Sequence, residues 1–137
     1  MKIIINKASI KILGILAFVV IVGFTIYQST LVQEEKQLII GTWVINGENT
    51  NKWIFTFNNE CKWELDGIIN SEFIYTIENS FSPSGLEHTT LKLTTVSSNV
   101  SEVGEITQYG INGLGEEEMI LEYNNGIGIS YTHFTKQ

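Results

Sequence analysis

The segment WIFTFNNECKWEL, residues 53–65, places an apolar residue at every second position on either side of an Asn-Asn pair. Alternation with a period of two is typical of a β-strand that buries one face, and Asn tolerates the backbone angles of a tight turn. The segment therefore predicts a β-hairpin. Its buried face carries Trp53, Phe55 and Phe57 on the first strand, and Cys61, Trp63 and Leu65 on the second.

The same alternation recurs through the rest of the chain, and the segments that carry it are separated by turn residues such as Asn46-Gly47, Asp66-Gly67 and Asn125-Gly126. One-sided alternation predicts antiparallel strands with one face on a core and one in water. Eight such strands with short loops favour an all-β fold, an eight-stranded up-and-down antiparallel barrel, over the alternative of a two-sheet sandwich. The predicted strands are residues 38–46, 52–58, 61–66, 72–78, 89–96, 105–112, 118–123 and 127–136.

An uncharged run of sixteen residues, Ile12 to Tyr27, lies near the N-terminus behind Lys2, Lys7 and Lys11. Its length falls between that of a cleavable signal peptide and that of a bilayer span, and we favour an uncleaved signal anchor. The predicted organisation is a transmembrane helix over residues 1–29, a linker over 30–37 and a domain over 38–137. The positive-inside bias puts the N-terminus in the cytoplasm and the domain on the outer side of the cytoplasmic membrane, periplasmic or extracellular. A cleaved signal would instead give a secreted domain.

The charge of the chain restricts its partners. All eight basic residues are Lys, and residues 28–137 carry five of them against fifteen acidic residues, a formal −10. Nucleic acid is excluded as a partner because phosphate binding needs a cationic surface. Cys61 is the single cysteine, so the chain forms no internal disulfide, and its place in an alternating strand predicts a buried thiol.

The opening Ile40-Gly41-Thr42-Trp43, followed by many short strands, resembles the small lipocalin-like (calycin-type) domains of bacterial envelope proteins. Residues 109–121 and the closing aromatic strand, which ends Phe134-Thr135-Lys136, are also similar to the second half of those domains. In that family the Trp of the first strand plugs the closed end of the barrel, and a basic residue near the last strand, usually Arg, covers it. The resemblance implies that Gly41, Trp43 and Lys136 close the barrel here, with Lys replacing Arg.

The resemblance further implies a small apolar ligand in the interior of the barrel. An eight-stranded barrel either fills its interior with side chains or holds one small ligand, and the many aromatic residues leave both alternatives open. Ile127, Ile129, Tyr131 and His133 share one parity in the last strand, so Tyr131 and His133 are expected to point inward and to hydrogen-bond a ligand. Tyr109 and Tyr75 complete the candidate ligand-binding residues.

No nucleophile motif, nucleotide loop or metal-ligand spacing occurs in the sequence. We therefore expect no enzyme activity, no catalytic residue, no metal and no cofactor. The leading hypothesis is a membrane-tethered extracytoplasmic module that binds a small apolar or amphipathic ligand. The alternative is a packed barrel that acts as a protein–protein interaction or accessory subunit of an envelope complex.

Overall fold

The computed structural model describes residues 7–81 and 87–137 and begins with one long helix, α1 (Lys7–Leu38). Its segment Gly14–Leu38 is long and apolar enough to cross a bilayer, as a membrane anchor or a signal sequence would be. Lys2 of the predicted basic flank lies outside the described residues. The chain divides into two compact units, Met1–Leu31 and Val32–Gln137.

Eight antiparallel strands form a closed barrel in which each strand pairs with its neighbour in sequence and β8 pairs with β1. The prediction of an eight-stranded up-and-down barrel is confirmed. Closure pairs both edges of the sheet, so the described strands leave none of the open edges that invite aggregation. The strands are β1 (Gly41–Ile45), β2 (Asn51–Phe55), β3 (Glu60–Leu65), β4 (Ile68–Phe81), β5 (Glu87–Ser98), β6 (Ile106–Leu114), β7 (Glu118–Asn124) and β8 (Ile129–Lys136).

The segment that the sequence predicts as a linker, residues 30–37, is helical and continues α1. Glu, Lys, Gln and Leu dominate it, and these residues have high helix propensity. Its last turns belong to the barrel unit, where Val32 packs against the core and Ile39 is fully buried in it. The helix end therefore covers apolar surface that an extended linker would have left in water.

The interior of the barrel is filled by the alternating face of the strands, as the alternation predicts. In the hairpin of residues 53–65, the predicted burial of Phe57 is wrong: Phe57 is 79% exposed, because β2 ends at Phe55 and Phe57 lies in the turn before β3. The buried apolar core consists of Ile39, Trp43, Phe55, Cys61, Tyr75, Ile77, Leu91, Leu93, Ile111, Met119, Leu121 and Phe134.

Candidate functional site: a cup at the open end of the barrel

The two ends of the barrel differ in how they are covered. At the end that we call the closed end, residues 32–40 lead into β1, and the C-terminal residues of β8 lie beside them. At the opposite end, which we call the open end, short turns join β1 to β2, β3 to β4 and β7 to β8, and the longer loop of residues 99–105 joins β5 to β6.

Trp43 lies at the closed end and is fully buried. Its indole Nε1 donates a hydrogen bond of 2.6 Å to the Ile39 carbonyl oxygen. The Lys136 ammonium nitrogen lies 4.9 Å from the centroid of the Trp43 ring and donates to the Leu38 carbonyl oxygen at 2.9 Å. Lys136 thereby combines a cation–π contact with a hydrogen bond to one of the terminal carbonyls of α1.

Gly41 begins β1 with a φ of +139°, a value that side chains rarely allow. A Cβ atom at this position would lie 2.5 Å from Cε of Lys136. Glycine therefore allows both the backbone angle and the close approach of the Lys136 side chain. The Gly-x-Trp opening and the final lysine are thus parts of one contact at the closed end.

At the open end the barrel contains a cavity of about 220 Å³. Its walls come from β2 to β6 and from the loop of residues 99–105. Aromatic and hydroxyl side chains predominate, and no charged side chain is among the described residues that line it. The lining residues are Trp53, Trp63, Ser71, Phe73, Leu93, Val100, Ser101, Thr107 and Tyr109.

Trp53 is the centre of the aromatic wall. Its ring lies 6.3 Å from the Phe73 ring in a stacked arrangement and 5.6 Å from the Tyr109 ring in an edge-to-face arrangement. Phe134 contacts the same indole at 5.7 Å from the core side. Such pairs fix each ring by packing, so the wall is formed before any ligand enters. Burial, helped by Tyr123 and Cys61, raises the pKa of Tyr109 to about 12, which keeps its hydroxyl protonated at neutral pH.

Trp63 is held on the other side of the cavity by a chain of hydrogen bonds. Its Nε1 donates to Oδ1 of Asn51 at 2.8 Å, and Nδ2 of Asn51 donates to the Glu48 carboxylate at 2.8 Å. The indole nitrogen is therefore already satisfied by the protein and is unavailable to a ligand. Trp63 offers the cavity an apolar ring surface only.

Ser71 adds a polar group to the wall. It is only 2% exposed, and its Oγ lies 2.7 Å from Oγ of Ser98. Ser98 in turn accepts hydrogen bonds from the backbone N–H groups of Val100 and Ser101, at 3.0 and 2.9 Å. These bonds anchor the start of the loop of residues 99–105 over the cavity.

The residues predicted as ligand contacts do not gather at this cavity. Tyr109 lines it. Tyr75 is buried in the core, where its hydroxyl donates to the Thr56 carbonyl oxygen at 2.9 Å. The expected inward orientation of Tyr131 and His133 is wrong: both are exposed, Tyr131 by 52%.

The register of β8 explains this error. Phe134 pairs with Met119 and Thr132 pairs with Leu121, so the inward parity of β8 is even-numbered. Tyr131 pairs with the partly exposed Glu122 on the outer face. Because side chains of a strand alternate between faces, burying Phe134 turns its odd-numbered neighbours outward.

Of the nine lining residues, only Tyr109 was among the predicted ligand contacts, and the other eight, including Trp63, Ser71 and Thr107, were not. Trp63 was predicted only as a core residue, although its place near the end of a strand indicates a rim position. Ser71 carries no sequence signal, because a single Ser at a strand position is usually exposed.

Cys61 is fully buried in the core, and burial raises the pKa of its thiol far above the usual range. A thiol in this state is a poor nucleophile. Among residues 7–81 and 87–137, no three His, Cys, Asp or Glu side chains come together as a metal site.

The chain was compared with models of protein families, with curated proteins and with solved structures, and none of these comparisons gave a match.

Proposed function

We propose that this protein is a lipocalin-like binding module that α1 tethers to the cytoplasmic membrane, with the barrel on the extracytoplasmic side. In this proposal the cup at the open end holds a small apolar or amphipathic molecule. The closed eight-stranded barrel, the Gly41-x-Trp43 opening and the position of Lys136 over the Trp43 ring support the lipocalin-like assignment. The positive flank of the apolar run supports the orientation.

The observation that carries the proposal is the aromatic cavity at the open end. Ligand sites are concave, mostly apolar and supplied with few polar groups, and the cup has this composition. Its volume of about 220 Å³ is small for such a site, since drug-sized ligands occupy about 300–1,000 Å³. An apolar cavity of about 150 Å³ already holds benzene. The ligand of the proposal is therefore little larger than one substituted ring.

Native mass spectrometry of the full chain tests the proposal. The protein is purified from its own membrane in digitonin, whose rigid multi-ring apolar part is too large for the cup. We expect a retained small-molecule mass on the wild-type protein and on Tyr131→Leu, which changes only the outer face. We expect its loss in Trp63→Leu, which removes a wall of the cup. A mass without ligand for the wild type, together with no saturable change in tryptophan emission on adding small ring compounds, would contradict the proposal.

A second candidate function, interaction with an envelope protein, is favoured by a different observation. Several aliphatic side chains at the open end are exposed, and exposed apolar groups close together mark interaction surfaces. They are Ile68, Val100, Val103, Ile106 and Ile127. The double variant Val103→Ser/Ile127→Ser separates the two functions. Loss of a co-purified protein with retention of the small-molecule mass would favour the interaction role.

A further inference from the structure

The hydrogen bonds around Ser98 fix the direction of its contact with Ser71. A hydroxyl group has one hydrogen to donate and two lone pairs that accept. Oγ of Ser98 accepts from the backbone N–H groups of Val100 and Ser101, which uses both lone pairs. In the 2.7 Å contact between the two serines, this arrangement favours Ser98 as the donor and Ser71 as the acceptor.

In this arrangement the hydroxyl hydrogen of Ser71 is not used in the contact with Ser98. Among the described residues the Ser71 side chain has no hydrogen bond besides the one with Ser98. Ser71 is almost fully buried and forms part of the wall of the cup. A buried donor is unfavourable without an acceptor, so the Ser71 hydroxyl favours an acceptor oxygen in the cup, from water or from a ligand that replaces it.

The charge of the site restricts which molecule brings that acceptor. No Lys is among the described lining residues, and Glu48, Glu102 and Glu105 are exposed at the open end. A carboxylate ligand would bring an uncompensated charge into an apolar cavity, and residues 28–137 already carry a net charge of −10. An ammonium ligand has no lone pair to accept the Ser71 hydrogen. An uncharged ligand with an acceptor oxygen meets both conditions.

We infer that Ser71 is a specificity-determining residue of the cup, where it donates its hydroxyl hydrogen to an oxygen atom on a small, uncharged ligand that carries a ring. The inference rests on the proposed function and deepens it by naming the ligand class. The aromatic rings of Trp53, Phe73 and Tyr109 would contact the ring of the ligand, and Ser71 would select its polar atom.

Four probes of matched shape test the inference on the full chain in digitonin. Acetophenone carries a neutral acceptor oxygen, and α-methylstyrene replaces that oxygen with a methylene group. Benzoate carries a carboxylate anion in place of the acetyl group of acetophenone. Benzamidinium carries in that place a cation that only donates hydrogen bonds. Dissociation constants come from tryptophan emission. We expect acetophenone to bind more tightly than benzoate and benzamidinium.

The decisive quantity is the ratio of the dissociation constants of α-methylstyrene and acetophenone, compared between the wild type and Ser71→Ala. Comparing ratios cancels the greater hydrophobicity of α-methylstyrene and its partition into micelles. We expect the ratio to fall about three- to tenfold in Ser71→Ala, as loss of one neutral hydrogen bond requires. Thr107→Val is the matched control, because it removes another hydroxyl that lines the same cavity, and it should leave the ratio unchanged.

The outcomes separate the two proposals. If neither neutral probe binds saturably, the proposed function fails and the inference fails with it. If both neutral probes bind and Ser71→Ala leaves the ratio unchanged, the proposed function is supported and the inference alone is overturned. A ratio that falls in Thr107→Val and not in Ser71→Ala would assign the donor to Thr107 and likewise overturn the inference.

A measurement on the wild type keeps the test decisive if Ser71→Ala does not fold. The carbonyl stretch of isotope-labelled acetophenone moves to lower frequency when its oxygen accepts a hydrogen bond. We expect the bound probe to absorb below its frequency in an alkane solvent. An alkane-like frequency for the bound probe would overturn the inference without any variant.

Discussion

The closed and open ends of the barrel consist of similar residues, but the hydrogen-bond partners of their polar groups differ. At the closed end, the Trp43 indole and the Lys136 ammonium donate to backbone carbonyl oxygens at 2.6 and 2.9 Å. At the open end, the Trp63 indole donates to a side chain, and the hydroxyl groups of Ser71 and Ser98 form a hydrogen bond of 2.7 Å. Two buried polar atoms without a partner among the described residues, Glu35 Oε2 and Thr56 Oγ1, lie at the closed end. What distinguishes the open end is therefore its pocket.

We therefore expect the two ends of the barrel to have different roles. Binding sites are usually found in the less tightly packed part of a fold, and the tightly packed part supplies most of the stability. The closed end joins the helix terminus, the first strand and the last strand through one tryptophan. Substitutions there should change folding, and substitutions at the open end should change binding.

The largest expected effect comes from truncating the tryptophan at each end. Trp43→Ala removes a fully buried ring and its hydrogen bond to Ile39, which should lower the free energy of unfolding by about 3–5 kcal/mol. Trp63→Ala removes a half-buried ring at the open end and should cost about 1–2 kcal/mol. Urea unfolding followed by near-ultraviolet circular dichroism measures both values. Equal losses would contradict the division between the two ends.

Tyr109 connects the cup with the core, and the free energy of unfolding at alkaline pH should show its contribution to stability. Its pKa is about 12 in the folded protein against 10.0 for an ordinary tyrosine, so the folded state keeps the proton to a higher pH than the unfolded chain. The free energy of unfolding should therefore fall as pH rises from about 10 to about 12, by about 2 kcal/mol from this group. Tyr109→Phe should flatten the decline over this pH range in urea unfolding. A decline of the same steepness in Tyr109→Phe would show that the tyrosine is not the group responsible.

Gly41 and Gly47 form a matched pair at opposite ends. Both have positive φ, +139° and +86°, but only at Gly41 would a Cβ meet another atom, Cε of Lys136 at 2.5 Å. Gly47→Ala should cost about 1 kcal/mol from backbone strain alone. Gly41→Ala should cost about 1–2 kcal/mol, because it also displaces the lysine from the Trp43 ring. Thermal unfolding of the two variants measures the difference, and an identical loss would mean that Lys136 moves aside freely.

The sequence predicts the barrel well because alternation is a local signal. Each hairpin carries its own pattern and turn residues, so all eight strands could be recognised one at a time. The helical end of α1 could not be recognised in this way. Residues 30–37 read as a polar linker; their residue types favour a helix, and packing of Val32 against the core supplies the further stabilisation that the sequence does not show.

The site was harder to predict than the fold because it depends on register and on hydrogen-bond partners. In β8 the alternating apolar residues predict that the odd-numbered side chains point inward, and this is wrong; they are Ile127, Ile129 and Tyr131. The pairing of Phe134 with Met119 instead turns the even-numbered side chains inward. For Ser71 the deciding fact is that Ser98, twenty-seven residues away, has already used both lone pairs. Neither fact is present in any short stretch of sequence.

The smallest expected effect is at the residues that the sequence favoured most as ligand contacts. Tyr131 and His133 lie exposed on the outer face of β8, and surface substitutions usually change stability by less than about 0.5 kcal/mol. Because neither side chain lines the cup, Tyr131→Phe and His133→Ala should leave the dissociation constant of acetophenone, measured by tryptophan emission, within about twofold of the wild type. A tenfold loss in either variant would mean that the ligand lies against the outer face, and the assignment of the binding site to the open end would be wrong.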